Sequence, residues 1–178
     1  VCEFSGAAEG VVEDAARATV LLSAGGAREV RAATDAAERL ALWRCRKKAF
    51  GAVGRIAPAY VSMDVVVPLG ELPGFVRDVA AIRAEHGVCV ATAFHAGDGN
   101  LHPGVHYDDR DPASVQRAHA AADAIVLRAL ALGGSATGEH GVGVEKRHLV
   151  HRQLDAVSAR LQRDLKLLYD PQGLCNPD

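Results

Sequence analysis

The residues of this chain best suited to chemistry fall in two short, glycine-rich strings. The first is His95-Ala-Gly-Asp-Gly-Asn-Leu-His102, in which two imidazoles stand on either side of a tight turn. If the flanking segments are strands, the two rings leave opposite arms of a hairpin and can converge. His106 shares a strand face with His102, so this face is rich in ring nitrogen. Neutral imidazole is a good ligand for zinc, iron or manganese. Asp98 and Asn100 carry ligating oxygens but also suit the turn itself, and for Asp98 turn formation or support of a ligand ranks ahead of direct ligation. Two histidines alone equally describe hydrogen-bonded strand ends, so a third ligand must decide. The second string, Gly138-Glu139-His140-Gly141-Val142-Gly143, offers a carboxylate and another imidazole between glycines that let backbone approach closely. Two histidines and one carboxylate with open coordination positions suit a catalytic metal better than a closed structural one. The bland alternative for this loop is a flexible connection between helices.

A basic cluster follows the same logic. In Trp43-Arg-Cys-Arg-Lys-Lys48 the solvated face of a helix end accounts for Arg44 and Lys48. Arg46 lies three residues beyond Trp43, on about the same helical face, where its fork can point inward and hold a substrate carboxylate bidentately. Arg55 is a second candidate for that task. The glycines at 97, 99, 141 and 143 do not form G-x-G-x-x-G in a strand-turn-helix unit, and neither a P-loop nor a G-x-S-x-G elbow occurs. A self-contained nucleotide or nicotinamide enzyme is therefore disfavoured.

These groups need elements to hold them. Val11, Ala15, Ala18 and Leu22 recur at helical spacing, and Gly25-Gly26 ends a helix of about residues 7–24. Asp35 and Glu38 make a capping box for a second helix running toward Phe50. Residues 61–67 alternate as a strand does. A third helix over residues 72–86 stops at Gly87. A β-rich run then reaches His95, and Leu101 to Tyr107 returns as the second arm of a hairpin. A fourth helix, rich in alanine, covers Val115 to Ala129. The last, over Leu154 to Leu168, is ended by Asp170-Pro171. Because the central strands are joined by a hairpin, an α+β fold is expected: a ferredoxin-like antiparallel sheet covered by helices, with a C-terminal helical segment. The stretch from Gly133 to Gly143 is the one long irregular segment inside it.

At 178 residues one domain with a substantial core is expected, and 49% apolar with 24% charged residues is the composition of an ordinary globular protein. The net charge of −2 comes from scattered charges, which argues against a nucleic-acid partner. No apolar run reaches membrane-spanning length. Cys2, Cys45, Cys89 and Cys175 form no C-x-x-C pair, so a reducing, cytoplasmic setting is expected. The opening Val1-Cys2-Glu3-Phe4 has no signal-peptide pattern and reads as the interior of a longer protein.

With these residues in view, the chain resembles the C-terminal domain of FAD-linked oxidases of the vanillyl-alcohol-oxidase type. Three strings look like signature motifs of that family in their usual order: His95 to His102, Gly133 to Lys146, and Asp170-Pro-Gln-Gly-Leu-Cys-Asn-Pro177. Trp43 to Phe50 and Gly54-Arg-Ile-Ala-Pro58 resemble its glycolate oxidase and D-lactate dehydrogenase group. The resemblance implies one C-terminal substrate domain over residues 1–178, with the N-terminal FAD-binding domain absent from this chain. It implies His95, His102 and Glu139 as ligands of a divalent metal, zinc or manganese, and His140 as the acid/base beside the flavin. Arg46 would bind the substrate carboxylate, and Asn176 would touch FAD. Relatives acting on larger substrates carry a lysine near Ser62, and its absence here argues for a small 2-hydroxy acid rather than a dicarboxylate. Partners implied are the FAD-binding domain and other glycolate oxidase subunits, through which the protein would sit peripherally at the inner face of the membrane. Two other classes stay open on the residues alone: a metal-dependent hydrolase with the same ligands, and a non-catalytic module that joins subunits.

Overall fold

The structure, a computed structural model, describes residues 1–177; Asp178 and the side chain of Phe50 lie outside the described residues. The chain divides into two compact units, residues 1–53 and residues 54–178. The first contains helices α1 (Ala8–Ala24) and α2 (Ala36–Val53). Helix α1 ends at Gly25, and Gly26 follows with a φ of 88°. Asp35 caps α2 by accepting from the Glu38 N–H at 2.8 Å. Glu38 returns the favour one residue earlier than a standard capping box, accepting from the Thr34 N–H and hydroxyl, both at 2.8 Å. On α2, Arg46 and Trp43 are half-buried while Arg44 and Lys48 are exposed.

The second unit is an α+β layer. Its strands are β1 (Ala59–Ser62), β2 (Val65–Val66), β3 (Cys89–His95) and β4 (Asn100–Tyr107), and every pairing is antiparallel. β4 is central, with β3 on one side and β1 and β2 end to end on the other. Helix α3 (Leu72–His86) joins β2 to β3, and α4 (Pro112–Ala131) follows β4. A single bridge, Val66 to Ser135, then adds the start of a fourth position beside β2. This is the ferredoxin-like strand order with its last strand reduced to one residue pair. A short 3-10 turn (Arg147–Arg152) and α5 (Ala156–Tyr169) complete the unit.

The continuous strand expected over residues 61–67 is divided at Met63-Asp64, and Pro103 explains where. Met63 donates its N–H to the Pro103 carbonyl at 2.9 Å, so Pro103 turns its backbone groups toward β1 and β2, yet it has no N–H to return the bond. Across from β3, Pro103 falls in a non-hydrogen-bonded pair with Thr92, and that ladder runs unbroken from Cys89 to His95.

Period-2 alternation gives the sheet two distinct faces. One carries Val61, Met63, Val65, Leu101 and Val105 against Phe75 and Val79 of α3 and Ile125 and Val126 of α4, all buried. Full burial of each large side chain here contributes about 1.5–3 kcal/mol. Ala118, Ala121, Ala122 and Ala129 keep α4 close to its neighbours. The other face carries Asp64, Asn100, His102 and His106, and it is where the polar chemistry lies.

Candidate functional site

The hairpin between β3 and β4 sets the first two histidines. His95 pairs with Asn100 and Ala93 with His102, so the two imidazoles lie diagonally on the same sheet face. Their ring centroids are 5.4 Å apart and nearly perpendicular, at 89°. The turn that makes this possible requires glycine at position 99. Its φ is 67°, and a Cβ there would lie 2.2 Å from the Val67 carbonyl oxygen. Asp98 serves the turn through its N–H, which donates to the His95 carbonyl at 3.1 Å.

The loop after α4 brings the carboxylate and the third imidazole. Glu139 Oε1 lies 3.2 Å from His102 Nε2, 3.5 Å from His140 Nε2 and 3.8 Å from His95 Nε2. The His140 ring stacks on that of His102 at 5.0 Å and 16°. His102 is buried, whereas His95, Glu139 and His140 are about half exposed. Ligand atoms of His95, His102 and Glu139 all lie within 4.8 Å of one another, and so do those of a second set, Asp64, His102 and His140. Tetrahedral nitrogen and oxygen ligands on a divalent ion sit roughly 3.3 Å apart, given metal–ligand bonds of about 2.0–2.1 Å. The first set therefore fits a cation with little adjustment. Its chemistry, two imidazoles and a carboxylate, suits zinc or manganese.

Asp64 was not among the residues singled out from the sequence, and it organises the loop. It is 1% exposed. One carboxylate oxygen, Oδ2, accepts from the Thr137 hydroxyl at 2.9 Å and from the backbone N–H groups of Gly138, Glu139 and His140 at 2.8, 2.9 and 2.8 Å. Burial by itself would raise the pKa of this carboxyl. The four donors outweigh it and hold the group far below the usual carboxylate range. Gly138 has no room for a side chain, because a Cβ would lie 2.5 Å from Asn100 Nδ2 and 2.9 Å from Asp64 Oδ1. Lys146, also buried, donates from Nζ to the Asp64 carbonyl at 3.3 Å, and burial lowers its pKa against the pull of Asp64.

Burial likewise lowers the pKa of His102, partly offset by the Asp64 carboxylate, and lowers that of His106. Burial of both rings thus favours the uncharged form, in which imidazole can bind metal. His106 packs against Tyr60 with centroids 5.4 Å apart and stands away from the Glu139 cluster, with neither ring nitrogen hydrogen-bonded. Arg46 belongs to the N-terminal helical unit. Asn176 lies in the turn after α5 with a φ of 46°, in a segment where the Asp170 carboxylate accepts from the N–H groups of Leu174 and Cys175 at 2.8 and 2.9 Å.

The whole sequence, residues 1–178, matches the family of FAD linked oxidases, C-terminal domain. It is 40% identical over 177 residues to the glycolate oxidase subunit GlcD of Escherichia coli (strain K12), covering 99% of this chain and 36% of that protein. It is 33% identical to the GlcD subunit of Bacillus subtilis (strain 168), over 98% of this chain and 37% of the relative. A probable mitochondrial D-lactate dehydrogenase of Danio rerio is 33% identical, over 98% of this chain and 36% of its own length. The chain thus spans little more than a third of the length of the relatives it matches. Among the described residues, no helix is long and apolar enough to cross a membrane. Matched by that family over its whole length and by relatives such as these over nearly all of it, the chain belongs to the C-terminal domains of FAD-linked oxidases.

Proposed function

We propose that this chain is the metal- and substrate-binding part of a flavoprotein that oxidises a small 2-hydroxy acid, glycolate or D-lactate, to the 2-oxo acid. The observation that carries this reading is the meeting of His95, His102 and Glu139 within 4.8 Å, with His140 stacked beside them. A divalent ion held by those three residues would supply Lewis acidity to the substrate hydroxyl, easing loss of its proton. FAD, bound mainly by a domain outside this chain, would supply the hydride acceptor.

The chain's own groups do the rest. The His140 imidazole, at the open edge of the cluster, takes the hydroxyl proton as the α-carbon gives up hydride. A well-placed base of this kind contributes roughly 10²–10⁴-fold. Arg46 binds the substrate carboxylate, which fixes the face presented to the flavin. This assignment and the contact of Asn176 with FAD rest on the motif match. The reading extends to partner subunits of the same oxidase and to a cytoplasmic position at the inner face of the membrane.

Flavin reduction by glycolate and by D-lactate, followed by absorbance in the full-length protein, tests the proposal. His140→Ala should bind metal and flavin normally and reduce the flavin at least 100-fold more slowly, an estimate of about the lower end for a lost general base. Reduction at the unaltered rate would reject His140 as the base. Residues 1–178 alone should give no turnover with either acid, since hydride then has no acceptor.

A further inference from the structure

We infer that Asp64 is a positioning residue with two separate tasks, one for each oxygen: it holds the loop of Glu139 and His140, and it sets which nitrogen of His102 carries the proton. The second task rests on the proposed metal reading. Oδ2 is fully engaged, accepting from Thr137, Gly138, Glu139 and His140. Oδ1 is buried and has no hydrogen-bond partner. The strand register that pairs Val65 with Leu101 puts Asp64 directly across from His102 on the polar face. Oδ1 lies 3.7 Å from His102 Nδ1, and that nitrogen is also buried and without a partner.

Two orphaned, complementary atoms thus face each other across a gap that a shift of about 0.7 Å would close to ordinary N–H···O distance. The other nitrogen of His102, Nε2, points to Glu139 Oε1 at 3.2 Å, the side on which the cation would be held. A metal-ligating nitrogen must present its lone pair, so the ring proton belongs on Nδ1. A carboxylate oxygen opposite Nδ1 enforces that tautomer, because a carboxylate can only accept. One buried side chain thereby coordinates both arms of the site. It fixes the orientation of a ligand from the sheet and the position of a ligand from the loop.

Asp64→Asn separates the two tasks. A carboxamide has one accepting oxygen and one donating nitrogen, and the four loop donors claim the oxygen. Its NH2 then faces His102 Nδ1 and drives the proton to Nε2. In the full-length protein labelled with 15N-histidine, the His102 resonances, assigned by difference against His102→Gln, should report Nδ1–H in the unaltered, metal-free protein. They should report Nε2–H in Asp64→Asn. Zinc affinity, measured by competition with a chelator, should fall about 10- to 100-fold in the variant. Nδ1–H with unchanged zinc affinity in a folded Asp64→Asn protein would reduce Asp64 to a loop clamp. If the variant does not fold, the unaltered protein still decides: Nε2–H on its His102 in the absence of metal overturns the inference. Failure of the unaltered protein to bind zinc would instead overturn the metal reading, whichever tautomer is found.

Discussion

The two halves of the cluster are built differently. Asp64, at the break between β1 and β2, and His102, on β4, are 1% and 3% exposed at the side chain, whereas His95, Glu139 and His140 are 43%, 53% and 56% exposed. The inner half is fixed by sheet register and by hydrogen bonds that the fold must make in any case. The outer half projects from a strand end and a glycine-bracketed loop, where it is open to solvent. Stability and chemistry should accordingly separate: substitutions inside should disturb both, and those outside should disturb chemistry alone.

Asp64→Ala should be the most damaging change. It strips four loop donors of their one buried acceptor, and a loss of roughly 3 kcal/mol or more is expected in denaturant unfolding. A loss below about 1 kcal/mol would mean that the loop does not depend on this carboxylate. Glu139→Gln probes the outer half. It should abolish metal uptake while changing unfolding free energy by no more than about 0.5 kcal/mol, as for other exposed positions. Parallel loss of stability would erase the distinction between the halves.

The smallest effect expected is on the pH dependence of stability. Burial lowers the pKa of His102 and His106 in the folded chain, so below about pH 6.5 the unfolded chain takes up protons that the native rings refuse. Their contribution is complete above that value and is lost as pH falls, by up to about 1.4 kcal/mol per pH unit for each ring. Asp64, with its pKa depressed, adds a second loss in the same direction once pH drops below the ordinary carboxylate value of about 3.9. Unfolding midpoints of the metal-free protein, taken between pH 8 and pH 5, should decline. His106→Gln should flatten that decline, and an unchanged slope would show that His106 titrates normally.

Much of this site was legible because its ligands are local in sequence. His95 and His102 share one hairpin, Glu139 and His140 are adjacent, and turn chemistry plus strand alternation suffices to bring each pair together. The helices were legible for the same reason, since periodicity and end signals at Gly25, Gly87 and Asp170 are properties of short windows. Asp64 was not. In an alternating strand it reads as one more outward polar residue, although aspartate is a poor strand former and its place between Met63 and Val65 is itself a cost. What offsets that cost lies more than seventy residues away in the loop at Thr137 to His140, and no local pattern shows it. Long-range pairing hid the strand break as well, because Pro103 acts across the ladder on Met63-Asp64. α5 shows the limit of periodicity: Val157, Leu161, Leu165 and Leu168 form the expected apolar stripe, yet each is more than half exposed.

Metal K-edge X-ray absorption on the zinc-loaded full-length protein tests most directly whether one cation unites the two halves. Two imidazole nitrogens and one carboxylate oxygen are expected in the coordination sphere, with one imidazole contribution lost in His95→Ala. A spectrum with fewer than two imidazoles, or one that His95→Ala leaves unchanged, would contradict a shared site.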